Sequence, residues 1–467
     1  MGRTSACTSH HVLVIPFPAQ GHVNPLMLFS HKLALQGFKV SFLNTDFNHE
    51  RVLSAIALSD SGKSFIGSQN ISLVSIPDGL GPEDDRTDMA LLCEAILNTM
   101  PAKLEELLTN FNALSDGDDE KKITCVIADG NMGWAMEVAR KMRIGGAVFW
   151  PAAAATFVMV LNIQRMIDQG IIDSNGFQTN KKQTLHLSQG FPAMDASNFP
   201  WSCIGDSTSQ KIIFHYIKRF AEASKLADWW LCNTVYDVEP AAISLYPRIL
   251  PIGPLLASQS LGELGAQFWA EDHSCLTWLD KQQPSSVIYV SFGSLTIHDE
   301  TQFNELALGL ELTGRPFLWV VRPGMIKSPR NSNPNRFLKS RGKIVSWVPQ
   351  QKVLSHPAIA CFVSHCGWNS TLEGLSNGLP FLCWPYFADQ FFNMSYICDI
   401  WKVGLEFERN ENGIISSQEV KKKVEQVLGD ENIRKRSLQL KELAMKNIAE
   451  DGQSSKNLND FIKWLKA

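Results

Sequence analysis

The chain has 467 residues, 45% hydrophobic and 19% charged, enough for two or three ordinary globular domains. Its formal net charge of −4 provides no global field for nucleic acid or an anionic membrane surface. No run of about 18 apolar residues occurs, so no spanning helix is expected. The ten scattered cysteines form no C-x-x-C pair and read as reduced thiols of a cytoplasmic protein.

Near the N-terminus, the apolar run Val12–Phe17 is too short for the core of a secretory signal. The sequons at Asn70, Asn369 and Asn393 are then expected to carry no glycan. "HVLVIPF" predicts a short buried strand and "PAQGHV" a turn. "NPLMLFSHKLALQG" has helical spacing, with Asn24 as N-cap, Pro25 at the first helical position and Gly37 as the stop. "FKVSFLNT" is a strand again. This β-α-β beat requires a parallel sheet with helices on its faces. It returns at "ITCVIAD", "NMGWAMEVARKM" and "GGAVFW". From Gln164 to Trp201 the pattern breaks into loops and short helices.

"YPRILPIGPLL" followed by polar "ASQSLGELGAQ" predicts an interdomain linker over 248–272. Beyond it the beat restarts with strand "SVIYVSF", turn "GSLTIHD" and helix "ETQFNELALGLELT", stopped by Gly314. Strands "RPFLWVV", "GKIVSW" and "IACFVSH" follow. The expected domains are 1–247, 273–446 and a terminal helical segment 447–467. The basic cluster "IRKRSLQLKELAMK" reads as a solvated helix face.

Several motifs fail on context. "GLGPED" and "GELGAQ" lack the third glycine of a dinucleotide fingerprint and sit in loops, which argues against a Rossmann oxidoreductase. "GLSNG" (Gly374–Gly378) matches a nucleophile elbow by letter but falls at a helix end, where it is a stop. "DGD" (Asp116–Asp118) lies in a run of Ser, Gly and acids and reads as a solvated loop. No zinc-ligand spacing occurs, and no metal site is expected.

The stretch "VSHCGWNSTLEGLSNGLP" (Val363–Pro380) joins a buried strand to a helix through a turn crowded with polar groups. The first N–H groups of a helix carry partial positive charge and suit a phosphate. Asn369 and Ser370 are either plain N-caps or, with His365, donors to such a phosphate. Trp347 in "SWVPQQ" is an aromatic platform for a base, a contact of about 1–3 kcal/mol. Glu373 lies one turn beyond Asn369 on the same helix face and suits ribose hydroxyls. Asp389 and Gln390 form an acid–amide pair suited to sugar hydroxyls. Together these groups describe a nucleotide sugar.

Trp347 to Gln390 closely resembles the 44-residue signature box of plant family-1 UDP-dependent glycosyltransferases, with W-x-P-Q, H-C-G-W-N-S-x-x-E-G and a closing D-Q. "FPAQGHVNPLM", "NTVYDVE" and "SFGS" extend the resemblance over nearly the whole chain. The resemblance implies a GT-B fold: two Rossmann-like α/β domains facing across a cleft, with the C-terminal helix crossing back to the first. It implies Trp347 under the uracil, the Val348 backbone at the base edge, and Gln350 and Glu373 on the ribose. It implies Ser294, His365, Asn369 and Ser370 on the diphosphate, and Trp368, Asp389 and Gln390 on the sugar. Gln390 at the box end resembles members that use UDP-glucose.

His22 opens the first helix and Asp129 ends a strand of the same parallel sheet, where α/β sheets place their sites. A His oriented by an Asp is a general base with a pKa near working pH. The resemblance gives His22 and Asp129 these same catalytic roles. The expectation is an inverting hexosyltransferase that moves glucose from UDP-glucose to a hydroxyl of a small plant metabolite, a flavonoid or other phenolic being favoured. Terpenoid or hormone acceptors, and UDP-galactose or UDP-xylose as donors, stay open. The expected enzyme is a monomer with no metal, prosthetic group, nucleic-acid partner or membrane contact. Phe17, Trp150 and the 164–205 region are expected to line the acceptor pocket. Pro151 and Ala152 depart from the family, in which many members place Thr or Ser there beside the sugar 6-position.

Overall fold

The computed structural model describes residues 10–58, 70–113, 122–179, 184–185, 187–256, 268–326 and 341–467. Within the predicted linker, 257–267 lies outside these residues, as do "DGD" and "GELGAQ". Runs of β-branched and aromatic residues make the strands, and the central ones are buried on both faces, as parallel sheets under helices require. In chain order they are β1 (His11–Ile15), β2 (Lys39–Thr45), β3 (Ile71–Ile76), β4 (Ile123–Asp129) and β5 (Gly145–Trp150). A small antiparallel pair follows, β6 (Thr184–Leu185) and β7 (Met194–Asp195), then β8 (Trp229–Cys232) and β9 (Ile249–Pro251). The last six are β10 (Val287–Ser291), β11 (Phe317–Val320), β12 (Gly342–Val345), β13 (Ile359–Ser364), β14 (Phe381–Cys383) and β15 (Gly404–Glu406).

Two compact units result. The first comprises Met1–Gln183, Trp201–Phe268 and Glu450–Ala467; the second comprises Thr184–Pro200 and Trp269–Ala449. The first sheet has the order β3-β2-β1-β4-β5-β8-β9 and the second β12-β11-β10-β13-β14-β15. Every pairing in both is parallel. Counted within each sheet, the second order runs 3-2-1-4-5-6, the doubly wound Rossmann arrangement, and the first runs the same way with a seventh strand added at its end. In each, connections leave in opposite directions from two neighbouring central strands, β1 and β4 or β10 and β13. That divergence opens a crevice at the strand C-termini, where such sheets bind ligands.

Packing follows from the same runs. In the second unit Phe303 stacks on Trp319 at 4.5 Å between centroids, under the helix Glu300–Leu312. A Cβ on Gly309 would come within 2.6 Å of the Val420 side chain, so the glycine lets the helix Ser417–Gly429 approach closely. In the first unit the last helix, Gln453–Leu465, sets Phe461 against Phe29 and Trp464 against Trp229. Asn457 Nδ2 in the same helix donates to Pro251 O at 2.8 Å.

The first helix corrects one prediction. It spans Gln20–Leu35 with Ala19 as N-cap, so Asn24 is not the cap and Pro25 lies inside the helix. Asn24 Oδ1 instead accepts from Gln20 Nε2 one turn earlier. Pro25, in the second turn, has no N–H to donate to the Gly21 carbonyl four residues earlier. Gly37, at φ +88°, follows the helix as its stop. No helix among the described residues is long and apolar enough to cross a membrane.

Candidate active site

In the first unit the site forms where β1 and β4 run side by side. The chain leaves β1, turns at Phe17–Ala19 and enters the helix at Gln20, which puts His22 in the first turn. The burial of β4 ends on Asp129, which is wholly inaccessible to solvent. His22 Nδ1 lies 2.7 Å from Asp129 Oδ2, and the imidazole remains one-quarter exposed. A carboxylate only accepts, so Nδ1 carries the hydrogen and Nε2 holds the lone pair. The other carboxylate oxygen, Oδ1, accepts from Asn131 N at 2.8 Å. Asp129 is therefore held from both sides.

Neighbouring aromatics frame this pair. Phe17 meets the His22 ring edge-on at 5.3 Å and Tyr216 at 6.5 Å. The Tyr216 hydroxyl donates to Asn131 O at 2.5 Å, which steadies the turn that holds Asp129. Trp150 is a core residue here: its indole stacks on Phe157 at 4.7 Å and donates to Ala153 O at 2.9 Å. A Cβ on Gly130 would collide with that indole at 2.3 Å, so the glycine is what lets the turn after Asp129 sit on the ring. The Thr156 hydroxyl is spent on Ala153 O at 2.7 Å. Pro151 and Ala152 bring no hydroxyl to this edge.

In the second unit the corresponding strands are β10 and β13. His365 follows β13, and its ring is framed by two glycines from two loops. A Cβ on Gly293 would lie 2.6 Å from His365 Nε2, and one on Gly367 2.5 Å from it. Gly293 belongs to the "SFGS" loop that carries Ser294, so the imidazole ties that loop to the helix after β13. Burial pushes the His365 pKa down to about 4, and a backbone hydrogen bond to Ser291 only partly opposes it. The imidazole is neutral at working pH, and its Nδ1 is buried with no partner among the described residues.

The helix spans Trp368–Ser376, one residue earlier than the sequence suggests, and its N-cap is Gly367. No side chain caps it. Neither Asn369 nor Ser370 is therefore the cap, and the first turn keeps its positive pole uncovered by side chains. The Ser370 hydroxyl accepts from Gln350 Nε2 at 2.9 Å.

Gln350 also reaches Glu373, donating to Oε2 at 2.7 Å, while Gln351 donates to Oε1 at 3.0 Å. Tyr289 Oη donates to Gln350 Oε1 at 2.9 Å. Burial raises the Glu373 pKa, and the two glutamine bonds oppose the rise. Trp347 packs at 4.8 Å on Trp269, and its carbonyl accepts from Asp272 N at 2.9 Å. Val348 beside it is buried. Gln351, Tyr289 and Trp269 were not anticipated; only Gln351, adjacent to Gln350 in "WVPQQ", carries a readable signal.

Asp389 and Gln390 follow β14. Gln390 Oε1 accepts from Tyr386 N at 2.8 Å and Phe387 N at 3.1 Å. This fixes the amide so that Nε2, which has no partner among the described residues, is the donor left to the site. Asp389 Oδ2 accepts from Asn393 Nδ2 at 2.9 Å. The Trp368 indole, by contrast, is buried beside the stacked pair Tyr396 and Trp401. Among the described residues no group of three or more His, Cys, Asp or Glu side chains is placed to hold a metal ion.

Comparison with known proteins matches this pairing of units. The family model described as UDP-glucoronosyl and UDP-glucosyl transferase matches residues 211–449, and the glycosyltransferase N-terminal domain model matches 9–192. UDP-glycosyltransferase 83A1 of Arabidopsis thaliana is 48% identical over 98% of this chain and 97% of its own. The chain belongs to the plant family-1 UDP-glycosyltransferases. Linamarin synthase 1 of Manihot esculenta is 35% identical over 99% of this chain and 98% of its own. Among solved structures, the UDP-glucosyltransferase from Polygonum tinctorium capable of glucosylating indoxyl superposes with a TM-score of 0.80 at 25% identity. That alignment covers 99% of this chain and 100% of the other. Phytolacca americana UGT2, solved with UDP-2fluoro-glucose and pterostilbene, gives 0.79 at 25% identity, covering 98% and 100%. The fold is GT-B, and this family-1 enzyme uses a UDP-sugar as donor and a small molecule as acceptor.

Proposed function

We propose that this UDP-glycosyltransferase moves glucose from UDP-glucose, with inversion, to a hydroxyl of a small plant metabolite, and that His22 is the general base oriented by Asp129. The 2.7 Å bond between His22 Nδ1 and a fully buried Asp129 is the observation that supports this reading. The acceptor O–H gives its proton to His22 Nε2 as its oxygen bonds to the anomeric carbon from the face opposite UDP. The bond from that carbon to the diphosphate oxygen breaks, and UDP leaves with the electron pair. Asp129 offsets the charge that the imidazole gains. No metal is required, because the uncapped helix end at Trp368, with His365, Asn369, Ser370 and Ser294, faces the charge growing on the diphosphate. Trp347 and the Val348 main chain hold the uracil, Gln350 and Glu373 the ribose, and Asp389, Gln390 and the Trp368 main chain the hexose.

A phenolic such as a flavonoid is the favoured acceptor, given Phe17 edge-on to the His22 ring and Tyr216 behind Phe17. A terpenoid or hormone acceptor is the second reading. It is supported by relatives named 7-deoxyloganetin glucosyltransferase and by Os79 of O. sativa, solved with a trichothecene. The lack of a hydroxyl at Pro151 and Ala152 keeps UDP-xylose, which lacks the 6-position group, among the donors to compare. The test is His22→Ala, assayed on a panel of hydroxylated acceptors with mass detection of the added sugar from UDP-glucose, UDP-galactose and UDP-xylose. Transfer should fall about 10²–10⁴-fold, with UDP affinity retained. Near-parental transfer by His22→Ala would end the mechanism.

A further inference from the structure

Both turns of the donor site hold a non-glycine residue in left-handed backbone: Cys366 at φ +64° and Ala388 at φ +56°. Such conformations are costly and persist only where surrounding bonds impose them. Cys366 is pinned at its N–H by Ser364 Oγ, at 3.0 Å. Its carbonyl is pinned by Asn393 Nδ2, at 2.9 Å. The same Nδ2 donates to Asp389 Oδ2 at 2.9 Å. Asn393 is wholly buried, and its Oδ1 has no partner among the described residues. Both of its bonds are donated to acceptors, so the amide has a single orientation that satisfies them. A site built for packing alone would favour an apolar side chain over a buried amide with one end unpaired. This amide links the turn that presents the helix end at Trp368 to the carboxylate of Asp389.

We infer that Asn393 is a positioning residue: it holds Asp389 in register with the turn at His365–Gly367 and thereby sets which hexose the enzyme accepts. This rests on the assignment of Asp389 and Gln390 to the donor sugar given above. Asn393 acts through Asp389 and the Cys366 carbonyl, without touching the sugar. Hexoses such as glucose and galactose differ only in the direction of a hydroxyl, so discrimination depends on where an acceptor or donor is held to a fraction of an ångström.

The test uses the full chain with Asn393→Ala and with the similar-sized Asn393→Leu, which has no donor. Calorimetry measures UDP and UDP-glucose binding, kinetics compare UDP-glucose with UDP-galactose, and thermal unfolding reports on folding. Both variants should keep UDP affinity within about fivefold, because Ser364 still pins the turn. They should lose about 10–100-fold in kcat/KM for UDP-glucose, the usual effect of removing an outer-shell partner. Their glucose-over-galactose ratio should fall at least about tenfold. In an Asp389→Ala background, Asn393→Ala should add less than about threefold, since coupled residues are not additive. An unchanged ratio, or equal losses with both donors, would overturn the proposal and leave Asn393 a structural residue. A parent enzyme that binds UDP but no UDP-hexose would remove the sugar assignment, and this proposal with it.

Discussion

The two units share one topology and place different chemical groups on it. In each, the strand order begins 3-2-1-4-5-6, and two of the candidate groups, His22 with Asp129 and the turn at His365–Gly367, sit at the C-terminal ends of neighbouring central strands. At β1 and β4 the crevice holds a carboxylate paired with an imidazole, Asp129 buried and His22 partly exposed. At β10 and β13 it holds a neutral imidazole between two glycines and a helix end that no side chain caps. The sheet decides where a site forms, and the residues at the turns decide what it does. In the function proposed above, one unit moves a proton and the other receives an anion.

The largest expected effect comes from breaking the first arrangement. In Asp129→Asn the side-chain oxygen still has to accept from Asn131 N, now 2.8 Å from Asp129 Oδ1. The amide NH₂ would then face His22 Nδ1, donor against donor. The imidazole would escape by moving its hydrogen to Nε2, which removes the lone pair from the side that takes the proton. Transfer should fall about 10²–10⁴-fold, measured as kcat with saturating donor, while UDP affinity stays near parental. Equal losses in kcat and UDP affinity would mean that Asp129 serves the fold and not the base.

Breaking the second arrangement should cost less. Gly367→Ala puts a methyl 2.5 Å from His365 Nε2 and forces the imidazole off its position. UDP binding should weaken by about 10²-fold, the usual scale of an ångström's misplacement in a site. Gly429→Ala, where nothing lies within 4 Å of the added carbon, is the control and should leave UDP binding unchanged. If both variants bind UDP like the parent, the glycine frame around His365 has no part in holding the diphosphate.

The same contrast explains what could be read before the fold was seen. The two Rossmann-like halves were legible because Val12–Ile15 and Val287–Val290 are continuous apolar runs, and each is followed by a helix-spaced segment. That His22 and Asp129 share a strand-end edge followed from the same beat. Side-chain partners were less accessible. Asn24 has the residue type and place of a cap, yet Gln20, one turn away, takes its oxygen. Trp368 has the chemistry of a sugar contact, but Tyr396 and Trp401 bury its ring, and both lie beyond the signature box. Asn393 is three residues past the box, and its bond to Cys366 O spans 27 positions. Tyr289 lies in the middle of an apolar strand and shows no pattern that reveals its bond to Gln350. Local pattern sets elements; partners that meet only after folding do not announce themselves.

The smallest effect concerns a second buried imidazole of the donor unit, His298, which follows the "SFGS" loop. It sits edge-on to Phe292 at 4.6 Å and to Trp384 at 5.8 Å, and its Nε2 is buried with no partner among the described residues. Burial lowers its pKa from 6.5 to about 4; Arg409 and Arg322 add to the shift and Asp299 opposes it. Between pH 6.5 and 4 the unfolded chain binds a proton at this position that the folded chain refuses, so stability is lost as pH falls through that window. At pH 5 the loss relative to pH 7 is about 2 kcal/mol. His298→Phe keeps an aromatic ring against Phe292 and Trp384 and removes the titrating group. Its unfolding midpoint should fall less than the parent's between pH 7 and pH 5, because His365 titrates alike in both proteins and cancels from the comparison. Parallel pH curves for the two proteins would show that His298 takes up its proton equally well folded and unfolded.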